Sequence, residues 1–421
     1  MKGSRTSLCV LSGMVVVSVM AVAAGTAIAA DWPQWRGPDR SDVSQETGLL
    51  KQWPADGPKR VWLNENVGQG YSGFSVVEGN LFTMGARDDD AEFLICLDAN
   101  TGGEKWATPL GPKLDNKWGN GPRGTPTVDG TRVYAMGGTG HLVCAQIEDG
   151  KEVWHASMSD LGGKKPGWGY CESVLVDGPR VVCTPGGGQG AIAAFNKETG
   201  EVLWRSTEIT NGAQYASIIP ASVHGQTQYI QLFQDAFAAI SPEDGKLLWK
   251  TSWPGKTAVI PTPICRDDQV FITSGYGAGC TLVKIDAENK PREVYFNKNM
   301  KNHHGGVLLV GDCLYGYSDG VGWTCLDFKT GEIVWNERGG LGKGCLTCAD
   351  GMLYCLDEGS GEVALVEASP KGWNAVSRFK LAAQSKHRSP SGRIWTHPVV
   401  CNGKLYLRDQ ELLSCYDVKS E

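Results

Sequence analysis

The stretch LDANTGGEKW at residues 97–106 decides the fold of this 421-residue chain, because copies of it recur along the sequence. The clearest second copy is LDFKTGEIVW at residues 326–335. A Gly again lies four residues before a Trp at Gly150/Trp154, Gly200/Trp204 and Gly245/Trp249. Two less regular copies end at Tyr295 and Phe379. The end positions lie 40 to 50 residues apart. Such a period predicts stacked units that bury their faces against one another.

Each repeat predicts four short strands. Between residues 127 and 154 the runs TVD, RVYAM, HLVC and EVW are separated by turn residues, and β-branched and aromatic runs of this kind are typical of strands. The Gly of the phrase fits a hairpin turn at positive φ. We expect the Trp to lie on the outer strand of a blade and to dock on the neighbouring blade. The predicted docking residues are Trp62, Trp106, Trp154, Trp204, Trp249 and Trp335.

The two ends of the chain predict how the array closes. The last copy begins at Cys415 and reaches Asp417 shortly before the sequence ends, while DGPKRVW at residues 56–62 resembles its second half. We therefore expect an N-terminal strand to pair with the C-terminal blade, which leaves no unpaired sheet edge. The predicted fold is an all-β, eight-bladed β-propeller of four-stranded antiparallel blades, with seven blades as the alternative.

The N-terminal residues predict export. Lys2 and Arg5 precede an apolar stretch and AIA at residues 27–29, a pattern typical of a secretory signal peptide. We interpret residues 1–29 as this signal, 30–58 as a leader or clasp and 59–421 as the propeller, in a periplasmic or secreted protein. An uncleaved anchor is the alternative, and it would be the only membrane attachment. In the leader, Trp32, Trp35 and Arg36 suit either a clasp packed on the ring or a recognition tag.

Charge and cysteine content exclude some functions. The net charge is −6, and it becomes −8 without Lys2 and Arg5, so a nucleic-acid partner is not expected. Cys345 and Cys348 form the one C-x-x-C; a disulfide and two small core residues are both open interpretations. No metal site is predicted, and we expect a monomer.

The repeat resembles the pyrroloquinoline-quinone-type β-propeller repeat over about residues 59–421. The leader, DWPQWRGP at residues 31–38, is similar to the opening of secreted planctomycete-type proteins, some of them polyvinyl-alcohol-dehydrogenase-like. This resemblance implies two kinds of function. Quinoprotein alcohol dehydrogenases hold the quinone (PQQ) with Ca²⁺ over the channel of an eight-bladed ring. Proteins similar to the outer-membrane assembly lipoprotein of Gram-negative bacteria carry no cofactor and bind other proteins.

The enzyme pattern is incomplete in this sequence. The chain has no adjacent pair of cysteines to cover a quinone, and Ala349 follows the C-x-x-C where a c-type haem site has His. The sequence therefore favours a binding or scaffold module with a protein partner or a small-molecule ligand at a channel mouth. No cofactor is firmly implied. The alternative is a pyrroloquinoline-quinone-dependent dehydrogenase that oxidises an alcohol with Ca²⁺, and its catalytic residues stay unassigned.

The repeat register predicts where a ligand would bind. Residues just before the first strand of each blade should lie at one mouth of the channel, and Arg, Lys and aromatic residues there suit an anionic or quinone-like ligand. Arg123 and Glu172 could instead pair with each other across the channel. Since neighbouring strand residues point to opposite faces, we expect only one of His303 and His304 to face the axis. The candidates are Tyr71, Arg123, Tyr170, Glu172, Tyr215, His303, His304, Lys343, Trp395 and His397.

Overall fold

The computed structural model describes residues 31–87 and 90–420, together with residues 1 and 3. Apart from those two, the predicted signal peptide at residues 1–29 lies outside the described residues. The described part contains 33 β-strands in eight sheets and one 3₁₀-helix, Met158–Leu161. Within these residues no helix has the length and apolarity needed to cross a bilayer.

Two strands precede the first complete blade: β1 (Val43–Ser44) and β2 (Lys59–Asn64). Blade 1 contains β3 (Ser75–Val77), β4 (Asn80–Arg87), β5 (Ala91–Asp98) and β6 (Glu104–Pro112). Blade 2 contains β7 (Thr127–Asp129), β8 (Arg132–Met136), β9 (His141–Gln146) and β10 (Glu152–Ser157). Blade 3 contains β11 (Leu175–Asp177), β12 (Arg180–Cys183), β13 (Ala193–Asn196) and β14 (Val202–Arg205). Blade 4 contains β15 (Ile219–Val223), β16 (Gln226–Leu232), β17 (Ala236–Ile240) and β18 (Leu247–Ser252).

The remaining blades follow in the same order. Blade 5 contains β19 (Ile264–Arg266), β20 (Gln269–Ser274), β21 (Gly279–Ile285) and β22 (Pro291–Asn297). Blade 6 contains β23 (Val307–Val310), β24 (Cys313–Ser318), β25 (Gly322–Asp327) and β26 (Ile333–Glu337). Blade 7 contains β27 (Gly344–Ala349), β28 (Met352–Asp357), β29 (Glu362–Glu367) and β30 (Ala375–Lys380). Blade 8 contains β31 (Val399–Cys401), β32 (Lys404–Asp409) and β33 (Leu412–Asp417), with β2 as its fourth strand.

The strands of each blade differ in burial according to their distance from the axis. Middle strands such as β17 are buried at every residue, because neighbouring blades pack on both of their faces. Outer strands carry exposed residues, for example Val202 and Leu203 in β14. Cys345 and Cys348 are buried free thiols in β27, which agrees with the interpretation as small core residues.

The repeated phrase forms the contact between blades. In the turn after β5, the Asp98 carboxylate accepts hydrogen bonds from the amides of Asn100 and Thr101. Gly102 has φ of 73°, and a Cβ there would lie 2.6 Å from the Trp62 ring, so both the backbone angle and the space require glycine. Trp62 Nε1 donates to the carbonyl oxygen of Ala99 at 3.0 Å.

The residues equivalent to Trp62 in the other repeats make related contacts. Trp106, Trp154, Trp204 and Trp335 donate from Nε1 to backbone oxygens of Ile147, Lys197, Pro242 and Ser369, respectively, each on the following blade. Trp249 differs, because its Nε1 donates to the Gln228 side chain within its own blade. Tyr295 replaces Trp in blade 5, and its hydroxyl donates to Phe328 O.

The predicted closure of the ring and the predicted eight blades are confirmed. β2 pairs antiparallel with β33, and Trp62 lies opposite Cys415. Arg408 also joins blade 8 to blade 1, since its buried guanidinium donates to Ser72 O and Met84 O. A strand from the N-terminal part of the chain and the last described strand therefore share one blade.

Residues 31–50, which we call the axial segment, touch the inner end of every blade. Backbone hydrogen bonds join Trp32 to Val76 in blade 1 and Pro33 to Val128 in blade 2. β1 pairs in parallel with β27 in blade 7. Side chains supply the other contacts: Arg40 with blades 3 and 4, Trp35 with blade 5, Arg36 with blade 6 and Glu46 with blade 8. A segment that contacts all eight inner ends lies along the channel.

Candidate functional site

One mouth of the channel holds a cavity of about 430 Å³. Its walls come mainly from the segments that precede the first strand of each blade, and all eight blades contribute. Trp35 and Arg36 of the axial segment line it as well. Concave, aromatic-lined cavities of about 300–1,000 Å³ are typical of small-molecule sites, so this mouth is the candidate site.

The structure brings most of the predicted candidates together at this cavity. Those that line it are Tyr71, Arg123, Tyr215, His303, His304, Lys343, Trp395 and His397. Their convergence follows from the repeat register, which places equivalent residues of each blade at the same end of the channel. Whether they bind a ligand stays a prediction.

Tyr170 and Glu172 lie outside the cavity. The Tyr170 hydroxyl donates to Pro185 O at 3.0 Å, and the buried Glu172 carboxylate accepts from the Thr184 amide and from Gln231. Cys171 lies between them and does line the cavity, while the hydrogen bonds of Tyr170 and Glu172 hold these two side chains in the packing between blades.

The proposed alternative of an Arg123–Glu172 pair is wrong. Arg123 donates instead to Trp168 O at 2.7 Å and to Gly119 O at 2.6 Å, and its guanidinium lies 4.9 Å from the centre of the Tyr71 ring. Arg123 thus faces the cavity while Glu172 is hydrogen-bonded in the core.

One wall of the cavity is a continuous row of aromatic rings. The Tyr71 and Trp395 ring centres are 5.0 Å apart, and Trp395 stacks on His304 at 4.4 Å with an interplanar angle of 25°. His304 lies 3.7 Å from His303, which contacts Tyr276 edge-on at 4.6 Å. A row of this kind offers a flat ligand an extended apolar surface.

Both His303 and His304 line the cavity, so the expectation that only one faces the axis is wrong. They precede β23, which begins at Val307, and the alternation of strand side chains does not apply outside a strand. Burial and the Lys343 ammonium lower the pKa of His303 to about 4. Burial, with His303 as a neighbour, lowers the pKa of His304 well below its ordinary value. Both rings are therefore neutral at pH 7.

Lys343 connects this histidine pair to a carboxylate. Its Nζ lies 3.0 Å from His303 Nδ1 and 2.8 Å from Asp319 Oδ1. Because an ammonium only donates, His303 Nδ1 accepts and the ring proton lies on Nε2. His303 Nε2 and His304 Nδ1 are buried and have no hydrogen-bond partner among the described residues.

Glu358 adds an ionisable carboxyl group beside the aromatic wall. Its Oε2 accepts a hydrogen bond from Trp395 Nε1 at 3.1 Å. Burial raises the pKa of Glu358 to about 7, although the Lys343 charge acts in the opposite direction. The group is therefore mostly protonated under mildly acidic conditions and charged under basic ones.

The cationic side chains of the lining outnumber the acidic ones. Arg36 and Lys343 have carboxylate partners, Asp42 and Asp319. Arg123 and Arg393 donate only to backbone oxygens and form no ion pair within the described part of the chain. Two uncompensated guanidinium groups give the cavity a positive character that suits an anion.

Sequence reasoning missed several lining residues. Trp118 and Trp168 lie in the segments before β7 and β11, and each is followed directly by Gly. This repeated Trp-Gly pair was the available signal. Glu358 and Arg393 carry no comparable pattern. Trp35 was recognised only as part of the leader, and nothing in the sequence places the leader inside the channel.

The fold and the cavity define an eight-bladed β-propeller with a concave, aromatic site at one channel mouth. A family model described as "Outer membrane protein assembly factor BamB" matches residues 89–337, more than half of the chain. The chain therefore belongs to this family of PQQ-like propeller repeats. No curated protein matches the sequence.

Solved structures share the fold at low identity. BamB from Moraxella catarrhalis is 14% identical with a TM-score of 0.55, over 79% of this chain and 95% of that chain. Quinohemoprotein alcohol dehydrogenase from Comamonas testosteroni is 12% identical with a TM-score of 0.63, over 94% and 82%. A europium-containing methanol dehydrogenase is 12% identical with a TM-score of 0.59, over 90% and 89%. At these identities the likeness concerns the fold alone.

The cavity lining suits the quinone of a quinone–calcium cofactor but not its calcium ion. The row of rings suits a flat quinone, but Ca²⁺ takes about six to eight oxygen ligands, mainly carboxylates and carbonyls. Among the described residues the lining includes one carboxyl group, Glu358, and its pKa is raised to about 7. No group of three or more His, Cys, Asp or Glu able to hold a metal occurs in the described ranges. The donor set does not fit calcium.

Proposed function

We propose that this protein is a binding module that takes a small ligand with a flat ring and an acidic group into the cavity at the channel mouth. The observation that carries the proposal is the combination, in one cavity of about 430 Å³, of a row of stacked rings with uncompensated guanidinium groups. The volume is sufficient for a molecule of two or three fused rings.

The aromatic wall supports the flat ring. Trp395 and His304 stack on each other, and Tyr71 continues the row. Since neither His303 nor His304 is charged at pH 7, the centre of the wall carries no net charge. Ring stacking against such a surface contributes about 1–3 kcal/mol for each aromatic contact.

The charge distribution supports the acidic group. Arg123 is held by two backbone oxygens beside the Tyr71 ring, so its position is fixed before a ligand arrives. Arg393 is held in a similar way by Gly392 O. A preorganised cation of this kind binds an anion without the cost of ordering the side chain.

The proposal includes the location and the organisation of the chain. A signal peptide at residues 1–29 would direct a monomer with a leader at 30–58 and a propeller at 59–421 to the periplasm or the exterior. The family description names an outer-membrane assembly factor, so a protein segment that inserts into the same mouth is the alternative occupant.

A quinone-dependent alcohol dehydrogenase is the second candidate function. The row of rings from Tyr71 to His303 favours it, since pyrroloquinoline quinone is a flat, fused-ring carboxylic acid of suitable size. The single carboxyl group of the described lining is the observation against it, because calcium takes about six to eight oxygen ligands, mainly carboxylates and carbonyls.

The first test is a titration of the purified protein with anthraquinone sulfonate, a flat tricyclic anion, and with proflavine, a flat tricyclic cation, followed by tryptophan fluorescence. We expect saturable binding of the anion and at least about tenfold weaker binding of the cation. The variant Arg123→Gln/Lys343→Gln should bind the anion at least about tenfold more weakly. Its melting temperature is measured in parallel, since both side chains also hold backbone or side-chain partners.

The matched control is Lys284→Gln/Arg292→Gln, which removes the same charge from β21 and β22, outside the cavity. It should change the affinity by less than about twofold. Equal binding of anion and cation, or equal losses in both double variants, would contradict the proposal. Titration with pyrroloquinoline quinone in the presence and absence of Ca²⁺ tests the second candidate. Calcium-dependent binding together with dye reduction by alcohols would favour the dehydrogenase.

A further inference from the structure

The axial segment is more than a filler of the channel, because it reaches the candidate site. Trp35 is only partly buried, in contrast to Trp32, which is 2% exposed. Both Trp35 and Arg36 line the cavity. These are the lining residues that the propeller blades do not supply.

Trp35 lies across the axis of the ring. Its Nε1 donates to Thr262 Oγ1 at 3.0 Å, at the start of blade 5, while its ring lies 4.8 Å from that of His397, at the start of blade 8. Blades 5 and 8 are not neighbours in a ring of eight. A side chain that touches both blades must therefore extend over the channel, below the mouth.

Arg36 completes the lower surface of the cavity. Its guanidinium donates to Val307 O in blade 6 at 2.6 Å and lies 3.4 Å from Asp42 Oδ2. Asp42 in turn contacts His397 Nδ1 at 3.1 Å. The axial segment and the wall residue His397 are thus tied together by hydrogen bonds.

We propose that the axial segment is a component of the ligand site: Trp35 and Arg36 form its floor, and ligand binding and insertion of the segment into the channel stabilise each other. The inference rests on the proposed function. A ligand that contacts the floor binds only molecules in which the segment is inserted, and by mass action it favours that state.

Two side chains that anchor the segment, Arg40 and Glu46, do not line the cavity, so the floor can be altered without removing them. Arg40 donates to Ser173 O, Val174 O and Ile218 O between blades 3 and 4, and it does not belong to the cavity lining. Glu46 accepts from the amides of Asn402 and Gly403 in blade 8. Substitutions of Trp35 therefore change the floor while these anchors remain.

The first experiment measures anthraquinone sulfonate binding to Trp35→Ala and Trp35→Phe in the full chain. Loss of a stacked ring should weaken binding at least about tenfold in Trp35→Ala, while Trp35→Phe should stay within about threefold of the unmodified protein. Trp204→Ala is the control. Trp204 is also a partly buried tryptophan whose Nε1 donates one hydrogen bond, to Pro242 O at 3.0 Å, but it lies on the outer strand β14.

The second experiment measures amide hydrogen exchange with and without the same probe. The reporters are the amides of Trp32, Val128 and Cys348, which bond across the boundary between segment and blades. At a probe concentration of about 100 times Kd, exchange that requires withdrawal of the segment should slow by up to about 100-fold. Amides of β14 should not change. This measurement tests the coupling between ligand binding and segment insertion even if Trp35→Ala does not fold.

The outcomes separate the two proposals. Two results would contradict the proposed floor and leave the binding function intact. In the first, folded Trp35→Ala binds the probe as well as the unmodified protein does. In the second, exchange of the β14 amides slows as much as exchange of the three reporters. If the unmodified protein binds none of the flat anions, the proposed function fails and the inference fails with it. Slow hydrogen exchange of the three reporter amides without the probe would then show that the segment is inserted without any contribution from a ligand.

Discussion

The carboxyl group of Glu358 makes a pH-dependent prediction at the scale of a single residue. Burial raises its pKa to about 7, so the group is neutral below that pH and negative above it. A negative charge beside Lys343 and Trp395 opposes an anionic ligand. Between about pH 6 and about pH 8, the affinity for anthraquinone sulfonate should therefore fall by about three- to tenfold, given the distances within one cavity and partial solvent screening.

Glu358→Gln is the matched variant for this prediction. A glutamine amide oxygen can keep the hydrogen bond from Trp395 Nε1 while it removes the titration. Its affinity should vary by less than about twofold over the same pH range. A full pH dependence in Glu358→Gln would assign the effect to another group.

Single residues also mark the limits of sequence interpretation. Tyr71, Arg123 and Lys343 were placed correctly at the mouth because they lie seven or eight residues before the first turn glycine of their blades. Tyr170 and Glu172 lie eight and six residues before the corresponding glycine, yet they point into the core, since the direction of a side chain in an irregular segment depends on its packing. The place of Trp35 is set by contacts with Thr262 and His397, which are more than 200 residues away in sequence.

At the scale of the element, the hairpin between the two outermost strands of a blade is the unit of docking. Trp154 is buried, and its Nε1 donates to Lys197 O at 2.9 Å in the next blade. Trp154→Ala should lower the free energy of unfolding by about 3–5 kcal/mol, because a large buried ring is lost. Urea denaturation measures the loss.

Trp154→Phe separates the ring from the hydrogen bond. It keeps an aromatic ring near Gly200 and Phe195 but leaves Lys197 O without this donor, so the cost should be about 1–2 kcal/mol. Equal losses for Phe and Ala would mean that the indole N–H, rather than packing, carries the docking.

The outer strand of blade 7, β30, shows why irregular repeats are hard to align from sequence. Most blades carry Trp at a fixed position of the outer strand, directly after a β-bulge. In blade 7 this position is occupied by Ser377, which lies opposite Leu365. The sequence predicted Phe379 for it, two residues further along the chain. Its side chain nevertheless contacts Gly57 of the next turn, as Trp62 contacts Gly102. A longer loop shifted the spacing while the contact between blades was kept.

At the scale of the whole molecule, closure of the ring depends on one strand from the other end of the chain. Trp62 in β2 resembles Trp154 in burial and in its hydrogen bond to the next blade. Trp62→Ala should therefore destabilise the protein by a similar amount, about 3–5 kcal/mol. In addition it should open the closing blade, because β2 has no short hairpin that connects it to β33.

Limited trypsin digestion distinguishes these two variants. Lys59 and Arg60 lie within β2 and are exposed, yet cleavage requires the strand to leave its sheet. Cleavage there should be faster in Trp62→Ala than in Trp154→Ala at equal stability. Equal rates in both variants would mean that the closing blade opens no more easily than the others.

The architecture was predictable because spacing alone determines it. Copies such as 97–106 and 326–335 define the blades, and the partial copies at Asp417 and Trp62 define the closure, which β2 and β33 form. The contents of the channel were not predictable, since DWPQWRGP has no partner copy to align with. The position of the whole axial segment, residues 31–50, follows from hydrogen bonds to eight separate blades, and sequence periodicity carries no record of them.

The path of the axial segment has a consequence for synthesis. Residues 31–50 leave the ribosome before any blade does, but their partners extend from Val76 to Ser420. The segment must therefore remain available, with Trp32, Trp35 and Leu49 exposed, until the last strands have emerged. The mean sequence separation of its contacts is large, and contacts of that kind form late and slowly. Assembly of the ring around this segment therefore waits for the last described blade.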